Sequence, residues 1–264
     1  MWHWLRESWR RRREAQALRR HAIPEALWQL TLLRYPFLAR RSPTELQELR
    51  RLCSLFLAEK EFHGAAGFVV TDEVAVAVAA QACLPVLRLG LDWYSGFVGI
   101  VMHADEVLAQ REVVDDDGIV HHYEEALAGE AMEGGPLMLT WASIKDEGDI
   151  ASMDPHEAGV FNVVIHEFAH IIDMRDGFAD GVPPMPSSAA REQWLQVLDT
   201  EWQAFCEQVE QDLPSPIDAY GSESPEEFFA VASEAFFVAP EALWAAHPGV
   251  YQLLSGFFQQ DPRP

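Results

Sequence analysis

The chain has 264 residues, 49% of them hydrophobic and 23% charged. That is enough for a sizeable core, and it excludes collagen, a disulfide miniprotein and wholesale disorder. The formal net charge of −23 is unevenly spread: residues 1–51 carry 12 Arg against 5 Glu, and residues 52–264 carry 7 basic against 37 acidic side chains. A body that acidic repels nucleic acid and anionic lipid, which confines any such contact to the N-terminal segment.

Cys53, Cys83 and Cys206 are odd in number and show no C-x-x-C pairing, so a reducing compartment and a soluble cytoplasmic protein are predicted. The polar, Arg-rich N-terminus is no secretory signal. The longest apolar run, Val74 to Leu84, is about half of a bilayer span, so no membrane segment is expected.

In chain order, residues 5–20 read as a very basic helix or arm, either a solvated counterweight to the acidic body or a docking element for an acidic partner. Residues 24–62 show helical spacing at Leu27, Leu30, Leu46, Leu49, Leu52 and Phe56, interrupted at Pro36 and Ser42-Pro43. Ser42 suits an N-cap with Glu45 at N3. Thr71-Asp72-Glu73 opens an Ala/Val-rich helix that must end before Pro85. Strands are predicted over Phe97–His103 and Pro136–Ala142. Glu112–Val114 and Ile119–Tyr123 form a hairpin across the Asp115-Asp116-Asp117-Gly118 turn. The strands gather in the first half and the second half reads as helical, which predicts an α+β fold, mostly helical with a small mixed sheet, in one compact domain over 1–264.

The chemistry concentrates after Asp154, which with Pro155 and Glu157 reads as the start of a helix running to Asp173 and stopping near Gly177. It contains His166-Glu167-Phe168-Ala169-His170, an H-E-x-x-H match. From this chain's own composition, about 0.04 such matches arise by chance. Histidines at i and i+4 share one helical face and can reach one cation. Glu167, one residue on, suits the general base that takes a proton from water. The apolar flanks, Val163 to Ile165 and Ile171 to Ile172, predict burial, which polar groups tolerate when paired or metal-bound.

Catalytic zinc usually takes three protein ligands. Asp176 lies six residues past His170, but the pattern that uses that position needs glycine where this chain has Asp173. Asp173 itself suits an acceptor behind the ligands. The other source is downstream, where Ser224 and Pro225 open an apolar helix carrying Glu227 and Glu234, two turns apart on one face. Glu227 is either a ligand or the closing member of a capping box with Ser224. For Glu234 the plain alternative is a partly exposed carboxylate paired with an arginine. His121 and His122, adjacent in a strand, point to opposite faces and read as surface. Trp194, Leu195, Leu198, Trp202, Phe205 and Val209 read as the core stripe of a helix at 189–211.

HEFAH, followed about 60 residues later by AYG-x4-EEFF-x4-EAFF, resembles the Mlc titration factor A family of zinc peptidases. The AAQACLP stretch at 79–85 and the Gln259-Gln260-Asp261-Pro262 ending extend that resemblance over nearly the whole chain. The two metal-site helices and the tyrosine are also similar to the catalytic domain of anthrax lethal factor. The resemblance implies a zincin-like fold and one Zn2+ held by His166, His170 and Glu227, with Glu234 behind them. It places Tyr220 against the substrate, as a donor to the oxyanion, where packing at the loop–helix junction is its bland role. Val231 stands where the lethal-factor pattern has a second glutamate, so the outer shell need not transfer. The implied function is a peptidase, aminopeptidase-like on small peptides, linked to sugar uptake through the Mlc repressor. The alternative is a regulatory protein that sequesters that DNA-binding repressor with little peptidase activity. By analogy with such folds, the strand at 136–142 presents an edge to an extended peptide, and the segment 174–188 walls the cleft.

Overall fold

The computed structural model describes residues 2–114, 120–132, 134–150 and 159–263. The chain begins with α1 (Trp2–Arg20), α2 (Glu25–Arg34), α3 (Pro36–Ala39) and α4 (Pro43–Glu59). The basic N-terminal segment is thus a helix, and it packs on α4 with an ion pair between Glu14 and Arg51. Ser42 and Glu45 close the capping box that starts α4, each satisfying the other's backbone N–H. The helical reading of 24–62 overran at its end, since α4 stops at Glu59 and β1 (Glu61–Gly64) follows. The spacing of Leu49, Leu52 and Phe56 is satisfied inside α4, and Phe62 packs against the core from a strand.

Next come α5 (Asp72–Cys83), capped by Thr71 as expected, and β2 (Gly99–His103). The hairpin strands are longer than predicted, β3 (Val107–Val114) against antiparallel β4 (Val120–Leu127); the turn at 115–118 lies outside the described residues. Then follow β5 (Gly129–Ala131), which had no sequence signal, β6 (Leu137–Thr140) and α6 (Trp141–Ile150). The main sheet has the order β1-β2-β6-β5, parallel except for the antiparallel β5–β6 pair. The sequence reading placed the edge at 136–142. The structure corrects it: β6 lies between β2 and β5, and the edges of the sheet are β1 and β5, of which β5 is the one beside β6.

The second half is helical: α7 (Val163–Asp173), α8 (Ser188–Glu210), α9 (Pro225–Val238), α10 (Pro240–Ala246) and α11 (Pro248–Phe258). The predicted start of the metal-site helix at 154 is also corrected. Residues 159–162 are not helical, and Asn162 caps α7 by accepting the Ile165 N–H at 2.9 Å. The Asp154, Pro155 and Glu157 pattern lies outside the described residues. Apolar side chains from both halves merge into one core running from Ile23 to Phe258. At its centre Phe168 of α7 meets the rings of Phe56, Tyr94 and Phe97, with centroids 4.8–5.9 Å away. Gln260 ties the chain end to the end of α5, donating to the Leu84 carbonyl at 2.9 Å. Among the described residues no helix is long and apolar enough to cross a membrane.

One buried cation braces the wall behind α7. Lys60 donates from Nζ to the carbonyls of Tyr94 and Phe97 at 2.5 and 2.6 Å, with the Phe97 ring 3.9 Å below it. Burial pushes its ammonium pKa down to about 8. The unfolded ammonium titrates near about 10.4, so between these values the unfolded chain binds more protons and stability rises with pH. Urea unfolding at pH 7.5 and 10 is expected to show wild-type stability gaining about 2–3 kcal/mol relative to Lys60→Met across that window. Equal gains in the two proteins would contradict this.

Candidate metal centre

The site is built where α7 and α9 cross. Val163, Val164, Ile165, Phe168, Ala169 and Ile172 bury three sides of α7, which leaves His166 and His170 together on the remaining face. Their Nε2 atoms are 3.1 Å apart. From α9, Glu227 brings Oε2 to 3.2 Å from His166 Nε2 and 3.3 Å from His170 Nε2. Ser224 caps α9 by accepting the Glu227 backbone N–H at 3.3 Å, while the Glu227 carboxylate turns to the histidines. Among the described residues, His166, His170 and Glu227 form the group whose ligand atoms converge, all within 4.8 Å of one another. Asp176 is exposed in the 3-10 turn Met174–Asp176, outside that group.

Glu234 lies two turns further along α9, 1% exposed, with Oε1 2.8 Å from His166 Nδ1. With Glu234 ionised and His166 neutral, as a metal on Nε2 requires, this contact places the imidazole proton on Nδ1 and leaves Nε2 facing His170 and Glu227. Glu227 Oε2 is buried and makes no hydrogen bond of acceptable geometry, although both imidazoles are near. Two nitrogen lone pairs and a carboxylate oxygen at this separation repel unless a cation or a proton lies between them. Two imidazoles and one carboxylate are also a donor set found in catalytic zinc sites. The residues fit a divalent metal.

Burial opposes charge on His166, Glu227 and Glu234. On His166 it is outweighed by the contacts with Glu227 and Glu234, which hold the imidazole pKa well above its usual range. On Glu227 burial is outweighed by both histidines, leaving the carboxyl at about 2. On Glu234 burial wins and the carboxyl rises to about 7.

Glu167 is 5% exposed and stands beside the trio rather than in it. Burial raises its pKa, and a hydrogen bond from the Ala131 backbone opposes the rise. β5 crosses so near that a β-carbon at Gly129 would lie 2.6 Å from Glu167 Oε1; glycine is what lets the edge strand pass over this carboxylate. Tyr220 is carried by the 3-10 turn Ala219–Ser222, whose cap, Asp218, accepts the Tyr220 N–H at 2.9 Å. Its ring is 40% exposed and its centroid is 6.2 Å from that of His166.

Residues 6–259 match the family described as Glucose-regulated metallo-peptidase M90. The chain belongs to that family. It is 37% identical over 263 residues to an uncharacterized protein of Synechocystis, covering 98% of this chain and 90% of the relative. It is 36% identical over 241 residues to Mlc titration factor A of Klebsiella pneumoniae, covering 90% and 87%. Against Mlc titration factor A of Cronobacter sakazakii the identity is 34% over 245 residues, covering 91% and 88%.

In this M90 chain Asp173 is fully buried and accepts the Gly181 N–H at 2.8 Å; burial raises its carboxyl to about 7. It holds the loop that leaves α7. Two further residues escaped the sequence reading. The Asn162 backbone N–H donates to Glu234 Oε2, and its side-chain amide donates to Gln81 Oε1 of α5 at 2.6 Å. A continuous polar chain, Gln81–Asn162–Glu234–His166, therefore runs from a neighbouring helix to a site histidine. The signals were present: an Asn directly before the apolar run of α7, and one Gln inside the otherwise apolar Ala/Val helix, where it is fully buried.

Proposed function

We propose that this chain is a zinc-dependent peptidase, with His166, His170 and Glu227 as metal ligands, Glu167 as general base and Glu234 orienting His166. The observation that carries the reading is the convergence of three lone-pair atoms beside a buried, base-competent glutamate on the neighbouring helical position. When bound, zinc supplies Lewis acidity, polarising a peptide carbonyl and acidifying water toward a pKa of about 7. Glu234 fixes the tautomer of His166, and Asn162 and Gln81 fix Glu234. Glu167, its pKa raised by burial, takes a proton from water and returns it to the departing amine. The edge strand β5 adds an extended peptide across Glu167, and Tyr220 donates a hydrogen bond to the oxygen of the tetrahedral species. The substrates are small peptides, cleaved in an aminopeptidase-like manner. We take 1–264 as one zincin-like domain with 1–20 as its basic arm. The free thiols, two of them buried, suit a reducing cytoplasm.

The test is metal content together with turnover. The purified full chain should hold about one equivalent of zinc and cleave alanyl-4-nitroanilide or short peptides; neither property in the pure protein would refute the reading. Tyr220→Phe is expected to lower kcat by about 10²–10³-fold with zinc content unchanged, the range seen when one oxyanion donor is lost. A kcat equal to wild type would assign the ring to packing.

A second reading is favoured by the name Mlc titration factor A that close relatives carry: a regulatory protein that binds the Mlc repressor. Here the −23 charge would steer association with a basic DNA-binding partner, which a steep loss of on-rate with salt would reveal.

A further inference from the structure

A cavity of about 490 Å3 opens one helical turn beyond Glu167, lined by Trp93, Phe97, Ala131, Leu137, Ile171 and Met174, with Arg175 at its rim. Its position follows from helix phase. Ile171 and Met174 lie four and seven residues after Glu167 and share its side of α7, whereas His166 and His170 are displaced around the axis. The opposite wall is the end of β5, the strand that already lies against Glu167 through Gly129 and Ala131. Four residues of helix advance about 6 Å, and two residues of extended chain cover about 6.6 Å. An extended peptide laid along the β5 edge with a carbonyl at Glu167 therefore brings a side chain to this cavity within two residues.

The lining states what that side chain is. Six of the walls named above are apolar or aromatic, and the volume exceeds that of a phenylalanine side chain. Among the described lining residues the one charged group is Arg175, a cation within residues 52–264, which hold only seven basic side chains. Arg175 is fixed there: it donates to the Asp92 carbonyl, lies 3.4 Å from Ser95 Oγ, and stacks 5.3 Å from the Trp93 ring centroid. None of these neighbours cancels its charge. We infer that this cavity is a substrate subsite for an apolar, aromatic-sized side chain, and that Arg175 excludes Lys and Arg from it. Local selection then opposes long-range steering: the acidic surface attracts basic chains, yet cleavage falls beside an apolar residue. The inference rests on the peptidase reading for its place in the reaction, and on the cavity alone for its binding preference.

The test uses the full zinc-loaded chain and a peptide library varied at each position, with cleavage sites read by mass spectrometry. Wild type is expected to prefer Phe or Leu over Lys by at least about 10-fold at one position. Met174→Trp should reduce the Phe-to-Ala ratio at that position by about 10-fold. Arg175→Glu, an exposed substitution that keeps the fold, should admit Lys there. Equal cleavage of Phe and Lys peptides, or ratios unmoved by both variants, overturns the subsite. Calorimetric binding of the peptide amides AAFA and AAKA to Glu167→Gln protein separates the two readings. If the wild type cleaves nothing but AAFA binds more tightly and Met174→Trp weakens it, the peptidase reading fails and the subsite stands. If neither peptide binds and nothing is cleaved, both fall.

Discussion

Zinc-loaded protein carrying Glu167→Gln is expected to lose peptidase turnover by about 10²–10⁴-fold while holding the same amount of zinc. Glutamine has nearly the same shape and can still accept the Ala131 N–H through its carbonyl oxygen, so the contact beneath β5 survives. It cannot accept a proton from water. Glu167 lies outside the converging group of His166, His170 and Glu227, and for that reason metal content should not change. Turnover close to wild type would remove Glu167 from the reaction. The same variant separates the two functional readings, because repressor binding that persists in an inactive protein needs no catalysis.

Removing the proposed third ligand should act on the metal itself. Glu227→Ala leaves two imidazoles and is expected to weaken zinc affinity by at least about 100-fold, measured by competition with a chromophoric chelator. By linkage, a 100-fold loss at fixed excess zinc removes about 2.7 kcal/mol of metal-dependent stabilisation. For a domain of this size that corresponds to roughly 5–10 °C of the zinc-induced rise in Tm. The metal-free Tm serves as the control, and an unchanged zinc-induced rise would exclude Glu227 as a ligand. The pH dependence has a defined sign. His166 is held protonated well above the usual range by Glu227 and Glu234, and a protonated imidazole cannot ligate. Zinc must displace that proton, so wild-type affinity should rise with pH through the neutral range.

Much of this site was legible in local sequence because its information is local. His166 and His170 are one helical turn apart, so any helix over 163–173 brings their rings together. Ser42, Thr71 and Ser224 each announce a helix start through a hydroxyl and the backbone three residues on. The misplaced start of α7 is a contest between two acceptable caps. Asp154-Pro155 carried the fuller pattern, yet it is Asn162 that caps α7, and there the same residue also joins the buried bond to Glu234. A cap that serves tertiary contacts as well outweighs one judged by its own pattern. β5 was unreadable for a different reason: three residues with a glycine carry no periodicity, and what makes them a strand is pairing with β6 on one side and Glu167 on the other.

By itself the sequence determined the helix-borne H-E-x-x-H pair, the apolar helix that supplies a carboxylate 57 residues beyond His170, and the acidic body around them. These depend on spacing and charge, which a linear chain already fixes. Whether Glu227 closed a cap or faced the histidines could not be fixed that way, because both uses need the same residue at the same position. The crossing of α7 and α9 decided it, by placing Glu227 Oε2 within 3.3 Å of both imidazoles. The same packing enlisted Asn162 and Gln81, and made β5 rather than β6 the open edge. Those outcomes are long-range contacts, set by how buried faces fit together and by the need to pair every polar group carried inside.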